Sequence, residues 1–334
     1  MTENSVGIFS AGDVVLESGK ILTDAKLVYC TFGELNAAND NAIIMPTHFG
    51  GTHEHSQYLT GEGRALDPAK YFIVIVNLIG NGVSSSPSNS SGADFPVVTI
   101  ADNVRLQHRL LVESYGVAKL ALAVGHSMGA VQAYHWGALF PDFVERVGAI
   151  CGAAKISRHN DVFLQGMRGI LTADPAWANG RYDTQPILGL ATMARAWGAW
   201  PPSSHFFRHA YYERLGFSSV DDFMEQYWEA TYCGMDANNV LAQIATWRSG
   251  DISANKSYNG DFAKALGSIK ASVCVMPCTT DAYFPPEDSE IEASHMQNAK
   301  LRPIMSNWGH WAGSGRNADD TDFIDQQLKE LLSN

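Results

Sequence analysis

A chain of 334 residues with 46% hydrophobic and 17% charged residues is long enough for one large domain, or two smaller ones, built on a sizeable core. Its formal net charge of −12, without a basic run, argues against nucleic acid or an anionic membrane surface as partner. No apolar run approaches the roughly 20 residues of a membrane span, no basic-then-apolar leader opens the chain, and Cys30, Cys151, Cys233, Cys274 and Cys278 read as reduced thiols of a cytoplasmic protein.

In chain order, residues 13–16 and 26–32 read as strands, the second rich in β-branched and aromatic side chains. Residues 42–45 form a short buried strand that runs into the Gly- and His-rich loop PTHFGGTHEH (46–55). YFIVIVN (71–77) is almost wholly apolar, as a central parallel strand covered on both faces must be. IGNGVSSSPSNSSG (79–92) has no period and reads as loop. Residues 99–115 predict a helix with a stripe at Val104, Leu110, Leu111 and Val112, stopped by Gly116. A buried strand (120–124), a helix (130–140) and another strand (144–151) follow, and this alternation predicts a parallel sheet with helices on both faces.

The pattern then changes. Between residues 157 and 253 there is no good strand, but there are helical stretches at 160–171, 186–197, 204–215, 220–232 and 238–249. Five of the eight tryptophans lie here, which suits a helical cap inserted into the domain, with residues 1–156 and 254–334 as its core. The sheet resumes at 271–277, followed by a helix at 286–296, a short strand at 300–304 and a closing helix at 319–332.

The chemistry centres on Gly125-His126-Ser127-Met128-Gly129. A G-x-S-x-G between a buried strand and a helix is the nucleophile elbow of an α/β-hydrolase fold. Glycines at both ends let strand and helix nearly touch, and the turn lifts the serine hydroxyl out of the sheet at a helix N-terminus. A nucleophilic serine needs a base, and the base needs a carboxylate to orient it, in the chain order Ser, Asp, His. Asp281 follows the strand at 271–277 and His310 follows the next strand, both in loops where functional groups collect in such sheets. Glu287, Asp288 and His295 are the competing side chains. The oxyanion hole then takes the N–H of Met128 and one from the loop after the first core strand, where Gly50 is favoured because glycine lets the backbone approach closely. His48, His53, Glu54 and His55 in that loop have metal-ligand character, but nothing completes a first shell and serine chemistry needs no metal, so no metal is expected. The histidines line the acyl pocket or are solvated.

Taken together, HFGGT (48–52), YFIVIVNLIGNGVSSSPSN (71–89), GHSMGA (125–130), GLATMARAWG (189–198), DAYFPPED (281–288) and NWGHWAG (307–313) resemble the homoserine O-acetyltransferase family of α/β-hydrolases over nearly the full length. The resemblance implies a Ser127, Asp281, His310 triad, an acyl-enzyme ping-pong, a helical cap over a deep pocket and homodimerisation through the cap. It puts Arg195 where the family has an arginine for the acceptor's carboxylate. A cap-surface arginine held in a salt bridge is the other reading of Arg195. Three positions depart from the family: His126 replaces a glycine, Pro202 stands where a tyrosine is expected, and Trp311 replaces an aspartate that helps to hold homoserine's ammonium group. A buried cation without a counter-charge is costly, so homoserine is not expected as acceptor. His48, Phe49 and Trp311 are expected to contact substrate. The chain therefore reads as a serine hydrolase acting on a small ester or thioester, without cofactor. Two other readings stand beside it: an O-acyltransferase that takes acyl-CoA as donor substrate and an acceptor other than homoserine, and a non-catalytic binding protein on the same fold.

Overall fold

The computed structural model describes residues 5–333. It opens on a long hairpin, β1 (Ser5–Val15) and β2 (Ile21–Phe32), followed by β3 (Ala42–Pro46) and β4 (Phe72–Val76). Next come α1 (Ile100–Arg109), β5 (Leu120–His126), α2 (Met128–Leu139) and β6 (Arg146–Ile150). Six helices follow: α3 (Arg158–Thr172), α4 (Ile187–Trp197), α5 (Ser204–Arg208), α6 (Val220–Phe223), α7 (Ala230–Cys233) and α8 (Ala237–Arg248). The chain closes with α9 (Phe262–Gly267), β7 (Ser272–Met276), α10 (Pro286–Ser294), β8 (Ala299–Leu301) and α11 (Ala318–Ser333). The eight strands make one sheet in the order β1-β2-β4-β3-β5-β6-β7-β8. From β4 onwards neighbours are parallel, whereas β2 is antiparallel to both β1 and β4.

The central strands are explained by composition. Every residue of β3, β4 and β5 is buried, as parallel strands between two helical layers require. α2 is buried almost all round, which is why it carries no polar stripe. The hairpin differs from the expected strands at 13–16 and 26–32, because β1 is an edge strand whose outward residues Val6, Ile8 and Val15 stay exposed and so blur the alternation. α1 starts where Thr99 and Asp102 form a reciprocal capping box, but the helix widens to a π-turn over Leu110–Ser114. That shift leaves Val112, expected in the apolar stripe, exposed. The expected helix at 204–215 breaks at Ala210, which takes a left-handed φ of 50°. α9 was not foreseen: it has six residues, too few to show a period.

The segment that carries α3 to α8 begins and ends at one place. Lys155 and Asp251 pair as an antiparallel bridge and as an ion pair at 2.8 Å, flanked by Ile156 N–H to Gly250 O and Ile252 N–H to Ala154 O. Among the described residues no helix is long and apolar enough to cross a membrane.

Candidate active site

The site starts at the end of β5. Ser127 sits at φ 59° and ψ −126°, a region that costs a non-glycine residue ~1–3 kcal/mol and persists only where neighbours over-determine it. They do so here. Ser127 N–H donates to Ile150 O at 3.0 Å, and Ser127 O accepts from Ala130 and Val131 N–H at 2.9 and 3.1 Å. A side chain on Gly125 would overlap the backbone of Gly129, and one on Gly129 would lie 2.6 Å from Pro46 O. The two glycines therefore let β5, α2 and the end of β3 meet. Ser127 is buried, and the N–H of Met128, first in α2, makes no hydrogen bond with another described residue.

The loops after β7 and β8 carry Asp281 and His310, the expected acid and base. Asp281 Oδ1 accepts from the N–H groups of Tyr283 and Phe284 at 2.8 and 3.3 Å, and this fixes the carboxylate plane. Oδ2 is left to accept from His310 Nδ1 at 2.7 Å. With Nδ1 carrying its proton toward Asp281, Nε2 of His310 is the basic nitrogen. The His310 main chain is clamped at both ends: its N–H donates to Pro201 O at 2.8 Å, and its carbonyl accepts from His126 Nε2 at 3.0 Å. The His126 and His310 rings lie 4.6 Å apart, so the residue preceding Ser127 ties the base to the elbow. Burial holds His126 well below the usual histidine range, so it is neutral and its one proton lies on Nε2; Nδ1 is buried without a partner among the described residues. From sequence His126 stands out only as a departure from the family's glycine, because nothing in the G-x-S-x-G pattern assigns a task to its second position.

The loop after β3 is pinned from two sides. Gln132 of α2, fully buried, donates through Nε2 to Thr47 O at 3.1 Å. Gly51 N–H closes a β-turn on His48 O at 3.1 Å, with Gly50 third in the turn at φ 67°, the position at which a type II turn calls for glycine. The expectation that Gly50 N–H serves the oxyanion hole needs correcting: it donates to Gln243 Oε1 of α8 at 2.8 Å. Gly50 is a glycine for its backbone angle, and the free N–H in the turn is that of its neighbour Phe49, which makes no hydrogen bond with a described residue.

The other expected contacts fall as follows. His48 is half-buried, burial lowers its pKa to about 4, and its Nδ1 donates to Phe49 O at 2.9 Å. Its ring stands edge-on to His126 at 5.5 Å. Phe49 stacks on Trp197 at 4.8 Å. Trp311 is buried, stacked on Trp228 at 5.6 Å and met edge-on by Phe206 and Phe223, with the Arg316 guanidinium 4.6 Å over its ring. Arg195 is corrected as a carboxylate receptor: half-exposed on α4, it pairs with Glu229 and, at 3.7 Å, with Glu225, so the carboxylates it meets are the protein's own. His295 caps α10 on the surface, and Glu287 lies exposed in the first turn of that helix. His53 and His55 are engaged by Asn77 and Thr52. Among the described residues no three His, Cys, Asp or Glu side chains are placed to hold a metal ion.

Known proteins resemble this chain in sequence and fold. The family described as alpha/beta hydrolase fold matches residues 42–314. The chain is 41% identical to the ethyl acetate hydrolase of Pseudomonas veronii, over 99% of this chain and 97% of that protein. The crystal structure of an acetylester hydrolase from Corynebacterium glutamicum superposes with a TM-score of 0.95 at 36% identity, covering 100% of both chains. The homoserine O-acetyltransferase of Trichormus variabilis is more distant, 28% identical over 88% of this chain and 86% of that protein.

Proposed function

The chain belongs to the α/β-hydrolase family and is an enzyme of that fold, and from this premise we propose that it hydrolyses esters of short acyl groups, acetate foremost, through Ser127, His310 and Asp281. The observation that carries the reading is the Asp281–His310 hydrogen bond, with the His310 ring against His126 of the strained serine elbow. The substrate class follows the two closer relatives, which are named for acetyl ester hydrolysis.

In the acylation step His310 Nε2 takes the Ser127 hydroxyl proton as Oγ bonds to the ester carbonyl carbon, and the C=O electron pair moves onto oxygen. Asp281 keeps the imidazole in the productive tautomer and stabilises the imidazolium. The oxyanion is held by the N–H groups of Met128 and Phe49, each worth about 3–4 kcal/mol in a dry site. Collapse breaks the bond to the leaving alkoxide, which takes the proton back from His310 and departs as the alcohol. Water then attacks the acyl-enzyme with His310 again as base, releasing the carboxylic acid and restoring Ser127. Every proton moves between substrate, water and these side chains, so the cycle is complete without a cofactor.

Water is favoured over a charged acceptor by the surroundings of His310. Trp311, the residue next in sequence, is packed among Trp228, Phe206 and Phe223 and offers no anion to an ammonium group. Tyr283 and Phe284, whose rings lie 5.0 and 5.6 Å from His310, add apolar bulk that suits a small acyl group. The helices α3 to α8 form the cap over this site.

The test is turnover of p-nitrophenyl acetate and ethyl acetate without CoA, alongside acetyl-CoA with homoserine and other alcohols. The reading expects ester hydrolysis that Ser127→Ala abolishes together with labelling by a fluorophosphonate. Product that forms only when acetyl-CoA and an alcohol are both present would replace hydrolysis by transfer, and a Ser127→Ala variant that still turns over would remove the serine mechanism.

A further inference from the structure

α8 belongs to the helical insertion, yet one face of it carries polar side chains at Asn239, Gln243 and Thr246, spaced four and three residues apart, and all are buried. A buried polar stripe at helical spacing demands partners. The partners are the loops at the top of the sheet. Asn239 Oδ1 accepts from Ser88 N–H at 3.0 Å while its Nδ2 donates to Ser88 Oγ at 2.7 Å. Thr246 Oγ1 donates to Val98 O at 2.8 Å, and one turn further on Ser249 Oγ accepts from Ile100 N–H at 3.0 Å. The helix is thus fixed to the core above and below Gln243. Gln243 itself is 2% exposed, and its Oε1 accepts the Gly50 N–H at 2.8 Å.

This bond falls at a sensitive place. The turn His48–Gly51 is held at its start by Gln132 through Thr47 O and at its third residue by Gln243 through Gly50 N–H. Between these two anchors lies the Phe49 N–H, which makes no hydrogen bond with a described residue. The Phe49–Gly50 peptide is held on both sides, its N–H by Gln243 Oε1 and its carbonyl by His48 Nδ1 at 2.9 Å, so the turn that carries the Phe49 N–H cannot shift toward or away from the elbow unless the Gln243 bond breaks.

We propose that Gln243 is a positioning residue for the oxyanion hole: by holding the Gly50 N–H it aims the Phe49 N–H at the ester oxygen. The inference rests on the proposed function above. It makes the inserted helix part of the catalytic apparatus, because a preorganised donor stabilises developing charge only when its direction is fixed before the reaction.

The experiment compares wild type with Gln243→Met, which keeps length and volume but removes the acceptor. On p-nitrophenyl acetate, kcat is expected to fall about 10- to 100-fold with KM within about twofold, somewhat less than removal of a whole donor gives. The Ki of a trifluoromethyl ketone, which forms an anionic hemiketal on Ser127, is expected to rise by the same factor, while thermal melting stays within a few degrees. A kcat within threefold of wild type, or a fall in kcat with an unchanged Ki, overturns the proposal. Should the variant fail to fold, amide exchange in selectively ¹⁵N-glycine-labelled wild type decides: a slowly exchanging Gly50 amide supports the anchor, and exchange at the rate of an open loop removes it. Ser127→Ala, run in parallel, separates the two ideas: if it is dead and Gln243→Met is normal, only the positioning role is lost.

Discussion

Asp281→Asn is the sharpest perturbation of the site, because the structure dictates which way the new amide must face. Asp281 Oδ1 accepts two backbone N–H groups, from Tyr283 and Phe284, and Oδ2 accepts from His310 Nδ1. An asparagine can put only its oxygen toward two N–H donors, so its NH₂ group must face His310. An NH₂ facing Nδ1 makes that nitrogen the acceptor and moves the imidazole proton to Nε2. The base then has no lone pair for the Ser127 proton, and the imidazolium loses its counter-charge. A wrong tautomer in this arrangement costs about 10⁴-fold, which at 1.36 kcal/mol per decade is about 5 kcal/mol of barrier. The fold should hardly respond, since both backbone donors stay satisfied. The assay is kcat/KM for p-nitrophenyl acetate at neutral pH, paired with ¹⁵N NMR of the His310 ring to read the tautomer. Activity within tenfold of wild type, or a proton still on Nδ1 of an inactive variant, would refute the reasoning.

The corrected oxyanion donor can be tested by Phe49→Pro against Phe49→Leu. Proline suits the second position of the turn but lacks the N–H, so kcat should fall ~10²–10³-fold further than in the leucine variant; equal losses would mean that only the ring matters. For Arg195→Ala, two half-exposed ion pairs are lost, so stability should drop by no more than about 1 kcal/mol. The ratio of KM values for acidic and neutral esters should stay constant, and a rise confined to acidic esters would return Arg195 to the substrate site. Glu292 gives a pH signature. Its carboxyl is buried, with Oε1 accepting the N–H groups of Ala154 and Lys155, and burial pushes its pKa from 4.5 up to about 8. Between those values the folded chain holds a proton that the unfolded chain has released, so stability falls as pH rises from about 4.5 to about 8, by at most about 5 kcal/mol. Urea melts at pH 5 and pH 8 should show that slope in wild type and a flatter one in Glu292→Gln; identical slopes would show that Glu292 does not carry it.

Local order and the serine elbow were legible in the chain because both are written in short-range pattern. The apolar runs at β3, β4 and β5 could belong only to covered strands, and Gly125 and Gly129 mark a turn in which no other side chain fits. Asp281 and His310, which the fold brings into hydrogen-bond contact, could be picked out from chain order and from loops at strand ends. The edge hairpin was legible only in part, since β1 faces solvent and has no strict alternation to read.

What tertiary structure alone decided is where each polar group is directed. Gly50 looked like a donor because glycine permits close approach, yet a helix almost two hundred residues away takes its N–H, while that of Phe49 meets no described partner. Arg195 looked like a receptor for a carboxylate, and Glu225 and Glu229 occupy it. His126 looked like a spacer in a motif and turned out to hold the carbonyl of the base. The physical reason is the same in each case: periodicity and steric demand act between neighbours in sequence, whereas a hydrogen bond is allotted by whichever donor and acceptor the finished fold brings within 3 Å.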